Sequence, residues 1–174
     1  LDLRRETELL FEHVLRGNLP VLELLTADYS FLNARLARHY GLPGVTGEAM
    51  RRVKLEDPRR GGVLTMAGVL TVTSNPTRTS PVKRGKWVLE TILGTTPPPP
   101  LPDAGELKDE PEGAEKLTVR QRLELHRADP SCAACHRRMD PIGIGFENYD
   151  PIGAWREKEG RLPLDVAGTL MDGR

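Results

Sequence analysis

One five-residue stretch constrains this chain more than any other. Residues 132–136 read Cys-Ala-Ala-Cys-His and contain both of the chain's cysteines, Cys132 and Cys135, followed directly by His136. This spacing is the attachment signature of c-type haem, in which two thiols add to the porphyrin vinyl groups and the adjacent imidazole binds the iron. One helical turn separates the cysteines, which matches the reach between neighbouring vinyl groups. The motif predicts one covalent haem c, with Cys132 and Cys135 as thioether residues and His136 as the proximal iron ligand.

Three other roles for a C-x-x-C pair stay open on the residues alone. A structural zinc ion needs four nitrogen or sulfur ligands, and the chain has no second cysteine pair, although one of its four histidines could contribute. A thioredoxin-like redox pair needs a β-α-β context, whereas the residues before Cys132 have the pattern of helix and loop. A disulfide between residues one turn apart would close a very short loop and add little stability. We favour haem over each of these roles.

Composition limits the partners that the chain can have. Lys plus Arg and Asp plus Glu balance at 25 each, so the net charge indicates neither a nucleic acid nor an anionic membrane surface. No apolar run approaches the roughly 20 residues that span a bilayer, and we predict no membrane span. Aromatic residues make up only 5% of the 174 residues, and a buried haem would supply apolar bulk that such a chain lacks.

The start of the chain and the motif together bear on its location. The sequence begins Leu-Asp-Leu, without an initiator Met or a signal-like apolar stretch, so we expect residues 1–174 to be a piece of a longer or processed protein. Attachment of haem to a C-x-x-C-H motif takes place outside the cytoplasm. The motif therefore predicts an extracytoplasmic protein, which would be periplasmic, secreted or at the cell surface.

The hydrophobic pattern predicts three regions. Residues 1–45 form a helical segment: an amphipathic helix over 2–16, a short helix after Pro20, and a third helix capped by Asp28 or Ser30. Residues 46–116 hold a linker with room for one strand, a buried helix starting near residue 62, a helix started by Ser80-Pro81, and a Pro-rich spacer.

Residues 117–174 form the third region, which carries the haem-attachment motif. Thr118 and Gln121 have the spacing of a capping box at the start of a helix. We expect that helix to break before Ser131, a new turn to run to Arg138, and Gly-rich backbone over 139–150 to lie close to a flat group. A hairpin is predicted with its turn at Glu159-Gly160.

Two residues are candidates for the second axial position of the iron. Met66 carries a thioether, a common second ligand in cytochromes c, and it also fits the pattern of an ordinary core residue. His126 precedes the motif and could bind the iron or hydrogen-bond to the haem, or could simply face solvent. Met139 projects from the same side as His136 and is not expected to reach the opposite face. The distal ligand is therefore left open between Met66 and His126.

The chain resembles a known family over nearly its whole length. The segments TSPVKRGKWV and CHRRMDPIGIGFENYD are similar to the cytochrome c-like domain of large multi-domain proteins that are abundant in Planctomycetes. The opening stretch, with RRETELLFEHVLRGN, resembles the end of the helical domain that precedes it there, and LDVAGTLMDGR resembles the start of a third domain. The resemblance implies a haem-binding domain with Cys132, Cys135 and His136 as its site.

These observations predict a mostly α fold: a small cytochrome c-like helical haem domain with irregular loops, plus an N-terminal helical segment. The predicted function is to carry single electrons through the haem, with a redox partner protein or other haem-bearing subunits. Two alternatives remain: a peroxidase-like haem enzyme with an open distal position, or a structural module that the haem holds together within a larger assembly. We expect an electron carrier rather than a catalyst.

Overall fold

The computed structural model shows a mostly helical chain. It describes residues 1–98, 117–128, 130–170 and 173. Two compact units are present, one made of residues 1–77 with 149–155 and the other of 78–148 with 156–174. Helices contain 45% of the residues and strands 9%, so the predicted mostly α fold with irregular loops is confirmed. The predicted regional boundaries at residues 45 and 116 remain predictions.

The first unit packs short helices around a two-stranded sheet. The described elements are α1 (Asp2–Arg16), α2 (Glu23–Thr26), β1 (Tyr29–Leu32), α3 (Ala34–His39), β2 (Arg51–Lys54), a 3₁₀ turn (Val63–Thr65) and α4 (Ala67–Val72). As predicted, α1 is amphipathic, but not all of its large apolar side chains are buried. Leu10 and Val14 are buried, whereas Phe11 and Leu15 are exposed.

The third predicted helix starts later than the sequence suggested. The residues from Tyr29 to Leu32 form β1, which pairs antiparallel with β2. Asn33, and neither Asp28 nor Ser30, caps α3 by accepting a hydrogen bond from the backbone N–H of Leu36 at 3.0 Å. Phe31 and Leu32 were expected in the third helix. They form part of a strand because pairing with β2, about twenty residues further on, outweighs their local preference for helix. The strand predicted around Val53 is confirmed as β2.

A buried carboxylate lies at the centre of the first unit. The Glu6 carboxylate accepts hydrogen bonds from Ser30 Oγ and Tyr40 Oη, each at 2.6 Å, and Tyr40 Oη in turn accepts from the backbone N–H of Ala67 at 2.8 Å. The guanidinium of Arg60 stacks 3.9 Å above the Tyr40 ring. Glu6 of α1 thus joins β1 and the residue that ends α3, and Tyr40 extends the hydrogen bonds to α4.

The stability of the first unit should depend on pH through Glu6. Burial raises its pKa to about 7, from an ordinary value of 4.5. The unfolded chain therefore loses this proton first as the pH rises, and stability present at low pH is lost between about pH 4.5 and 7. We expect Glu6 to lower the free energy of unfolding by about 3 kcal/mol across that range.

The measurement is urea unfolding at a series of pH values for the wild type and Glu6→Gln, which keeps the shape of the side chain and removes its proton equilibrium. The wild type should lose more stability than the variant as the pH rises. Equal pH dependence in the two proteins would contradict the assignment.

The second unit is built on two helices that cross at glycines. Its described elements are α5 (Pro81–Trp87), which continues into a π-helical turn (Val88–Ile92), then α6 (Val119–His126), α7 (Pro130–Ile144), β3 (Lys158–Glu159) and β4 (Leu162–Pro163). Gly85 of α5 lies against the carbonyl of Met139, and Gly143 of α7 lies against the carbonyl of Pro81. The order of these contacts shows that α5 and α7 run antiparallel. Without side chains at these positions, the two backbones approach closely.

The predicted helix starts in this unit are confirmed. Ser80 caps α5 with Pro81 at its first position, and Thr118 with Gln121 forms a complete capping box on α6. The predicted hairpin is also present, with Gly160 in the left-handed region at φ 61°.

The helix that carries the motif is longer than predicted. We expected a turn ending near Arg138 and then Gly-rich wrapping, but α7 continues to Ile144 with Pro141 inside it. Gly143 serves the contact with α5 and not a turn, which explains why its presence misled the prediction. The expected helix break before Ser131 is confirmed, since α6 ends at His126 and α7 begins at Pro130. The Ser131 cap and the Pro-rich spacer from residue 99 onwards lie outside the described residues and side chains.

Candidate functional site

The predicted haem-attachment residues lie together in the first half of α7. Cys132, Cys135 and His136 occupy helix positions i, i+3 and i+4, so their side chains share one face. Both cysteines are free and half-buried. The two glycine contacts between α7 and α5 involve Met139 and Gly143, which follow the motif along α7.

A buried carboxylate holds the imidazole of His136. The Nδ1 atom of His136 lies 2.9 Å from Asp140 Oδ1, one helical turn further along α7. Asp140 is fully buried, and the Nε of Arg127 lies 3.7 Å from its second oxygen, Oδ2. With Nδ1 engaged, Nε2 is the nitrogen of His136 that remains for a metal ion. Asp140 was not predicted as a site residue, although its i+4 spacing from His136 places it on the same helix face.

His126 is brought next to His136. Its ring, at the last residue of α6, contacts the His136 ring edge to face with 4.9 Å between centroids and 69° between planes. Of the two distal candidates, this is the one that shares the second unit with the motif. Its role as an iron ligand remains a prediction.

Met66 lies in the first unit. It is buried and lines a small cavity of about 10 Å³ together with Glu6, Tyr40 and Arg60. Met66 is therefore a core residue, as one of its two predicted roles required. Its role as distal ligand remains a prediction. Met139 is buried where α7 meets α5.

The two other histidines make ordinary structural contacts in the first unit. His13 packs edge to face against Tyr29 and Phe31, at centroid distances of 5.5 and 5.6 Å. His39 lies with Nε2 2.8 Å from the carbonyl oxygen of Ile152.

Arg84 of α5 has a structural role. Arg84 is buried, donates a hydrogen bond to the carbonyl of Phe146 at 2.7 Å, and lies 3.6 Å from the Glu147 carboxylate. Glu147 also accepts hydrogen bonds from Thr79 at 2.6 Å and Arg156 at 2.9 Å. Arg84 therefore binds the protein's own carboxylate, and burial raises the pKa of Glu147.

Comparison with known families assigns most of the chain. Residues 60–159 match PSCyt3, described as a protein of unknown function (DUF1588). This match covers more than half of the 174 residues. The chain belongs to the PSCyt3 family. Residues 1–42 match PSD4, also described as a protein of unknown function (DUF1592). No curated protein and no solved structure gives a significant match.

The two matches agree with the predicted resemblance at the level of domain families. One covers the opening helices, and the PSCyt3 match contains Cys132, Cys135, His136 and Asp140. Neither description names a cofactor.

The donor set of the PSCyt3 region fits a covalent haem. Two unlinked thiols lie one helical turn apart, and the imidazole beside them has its Nδ1 atom held by a carboxylate. In the described part of the chain, no group of three or more His, Cys, Asp or Glu side chains is arranged to hold a metal ion.

The described residues include no helix that is both long and apolar enough to cross a membrane.

Proposed function

We propose that this chain is a c-type cytochrome domain that carries single electrons through one covalently attached haem. The observation that carries the proposal is the arrangement on α7: two free, half-buried thiols and an imidazole on one face, with a buried carboxylate on the far nitrogen of the ring. A thioredoxin-like pair would leave this histidine and its carboxylate without a purpose. For a zinc ion, the described part of the chain offers no group of three or more His, Cys, Asp or Glu side chains arranged to hold a metal.

Three residues would hold the haem. Cys132 and Cys135 would form the thioether bonds, and His136 would bind the iron through Nε2. The haem would supply one-electron exchange between ferric and ferrous iron. The protein's part would be to fix the direction of the His136 imidazole and to supply a second side chain that binds the iron.

The contact between the two histidine rings supports His126 as that second ligand. The centroid of its ring lies 4.9 Å from that of His136, and it is the last residue of α6. Two strong axial ligands favour electron transfer over catalysis, because they leave no open position on the iron.

The proposal extends to location and partners. Haem attachment to this motif implies an extracytoplasmic protein. A single motif holds one haem, so electrons must pass to a separate redox protein or to haems of other subunits or domains.

An optical spectrum tests the proposal. The chain would be exported in a bacterium that expresses haem-attachment machinery, and its mass and absorption would be measured. We expect the added mass of one haem, a low-spin spectrum with sharp reduced bands, and no response to carbon monoxide. His126→Ala should open the distal position and allow carbon monoxide to bind, whereas Met66→Ala should not.

Each other outcome identifies a different function. A high-spin ferric wild type that binds carbon monoxide would indicate the peroxidase-like alternative. Attached haem without electron exchange with any redox protein would indicate a structural module. A chain that gains no haem mass would overturn the proposal.

A further inference from the structure

A buried carboxylate, Asp140, lies behind the candidate iron ligand His136. Asp140 is fully buried, although a carboxylate loses much free energy when it leaves water. Its Oδ1 is bound by His136, and its Oδ2 has no hydrogen bond within the described part of the chain. Arg127 lies 3.7 Å from Oδ2, beyond hydrogen-bond distance. Such an under-satisfied buried group calls for a reason beyond stability.

The second unit offers a direct comparison. Its other buried carboxylate, Glu147, receives hydrogen bonds from Thr79 and Arg156 and an ion pair from Arg84. Among the described residues, one oxygen of each carboxylate has no hydrogen bond but has a cation nearby: Oε1 of Glu147 lies 3.6 Å from Arg84, and Oδ2 of Asp140 lies 3.7 Å from Arg127. The other oxygen distinguishes them, because Oε2 of Glu147 is shared by two donors, whereas Oδ1 of Asp140 is hydrogen-bonded to His136.

The position of Asp140 is also fixed by the helix packing. The contact of Gly85 with Met139 and the contact of Gly143 with Pro81 lie on either side of it along α7. A side chain between two such close backbone contacts has little freedom to move. His136, one turn away, therefore has a rigid hydrogen-bond partner.

We infer that Asp140 is a positioning residue that sets the tautomer and the electron-donating strength of His136 toward the iron. This inference rests on the proposed function. A carboxylate that accepts the Nδ1–H bond keeps the proton on Nδ1, presents the Nε2 lone pair to the metal and strengthens electron donation from the ring to the metal. A more strongly donating imidazole stabilises ferric over ferrous iron. Asp140 thus lowers the reduction potential of the domain. The positive charge of Arg127 near Oδ2 reduces this effect by partly neutralising the carboxylate.

The test compares haem-loaded variants of the whole chain. Asp140→Asn keeps the shape and a hydrogen-bond acceptor but removes the charge, whereas Asp140→Glu keeps the charge and shifts its position. Asp165→Asn is the matched control, because Asp165 is an exposed carboxylate of the same unit that pairs with Arg120 at 3.3 Å. The measurements are the midpoint potential by spectroelectrochemistry and the Nδ1–H proton resonance of His136 in the reduced, ¹⁵N-histidine-labelled protein.

We expect the potential to rise in Asp140→Asn, to change less in Asp140→Glu and to stay near the wild-type value in Asp165→Asn. The Nδ1–H resonance should move upfield only where Asp140 is changed, because a neutral amide is a weaker acceptor than a carboxylate. Loaded Asp140→Asn protein with the potential and resonance of Asp165→Asn would overturn the inference and leave the proposed function intact.

A second variant covers the case in which Asp140→Asn does not fold. Arg127→Gln leaves the hydrogen bond in place and removes the cation near Oδ2, so its potential should fall below that of the wild type, with the Nδ1–H resonance moving downfield. An unchanged potential and resonance in that variant would overturn the inference. Absence of haem from the wild type would overturn the inference and the proposed function together.

Discussion

Replacing both Cys132 and Cys135 with Ala should leave the exported chain without any covalently attached haem. Thioether bonds require thiols, and these are the only two in the sequence. Each single variant should keep one bond and attach haem in much lower yield. The measurement is haem staining of the denatured protein together with its mass, because denaturation releases any haem that is held only by iron ligation.

Ala134→Ser provides the control for this experiment. Ala134 lies between the two cysteines, and its side chain is exposed, so the substitution alters the motif without touching a thiol. Its haem content should equal that of the wild type. Haem that persists on the denatured double variant would show that the thiols have another role.

Adding one methyl group at the crossing of α5 and α7 should destabilise the second unit strongly. A Cβ atom at Gly143 would lie 1.8 Å from the carbonyl oxygen of Pro81, and one at Gly85 would lie 2.0 Å from that of Met139. Neither contact can be relieved by a side-chain rotation, since both involve backbone. We expect Gly143→Ala and Gly85→Ala each to lower the free energy of unfolding by about 3 kcal/mol or more.

Urea unfolding of the whole chain measures this effect, with Gly145→Ala as the matched control. Gly145 follows α7, is exposed, and would place its Cβ 3.2 Å from the nearest backbone atom, so a small adjustment accommodates it. The control should stay within about 1 kcal/mol of the wild type. If Gly143→Ala were as stable as Gly145→Ala, the close helix crossing would be wrong.

Local signals in the sequence predicted local structure well. The Ser80-Pro81 helix start, the Thr118 capping box and the hairpin turn at Gly160 all appear where expected. Each depends on residues within about four positions of one another, so their hydrogen bonds can be read from spacing alone.

The errors fall where distant residues compete with local preference. Residues from Tyr29 to Leu32 had a helical pattern but form a strand, because β2 pairs with them. The glycine at position 143 suggested an irregular loop, but its partner is a backbone carbonyl of α5, about sixty residues earlier in the chain. The sequence contains both partners in each case, yet nothing in the spacing says that they meet.

The candidate site shows the same division. The sequence by itself determined which atoms can react, since two thiols and an imidazole at i, i+3 and i+4 lie on one face wherever the chain is helical. Only the tertiary structure decided what surrounds them. Asp140 is fully buried behind His136, and the ring of His126 lies against the ring of His136. The reason is physical, because burial and the contact between α6 and α7 depend on packing between elements. Periodicity along a single helix carries no information about which neighbour that helix will meet.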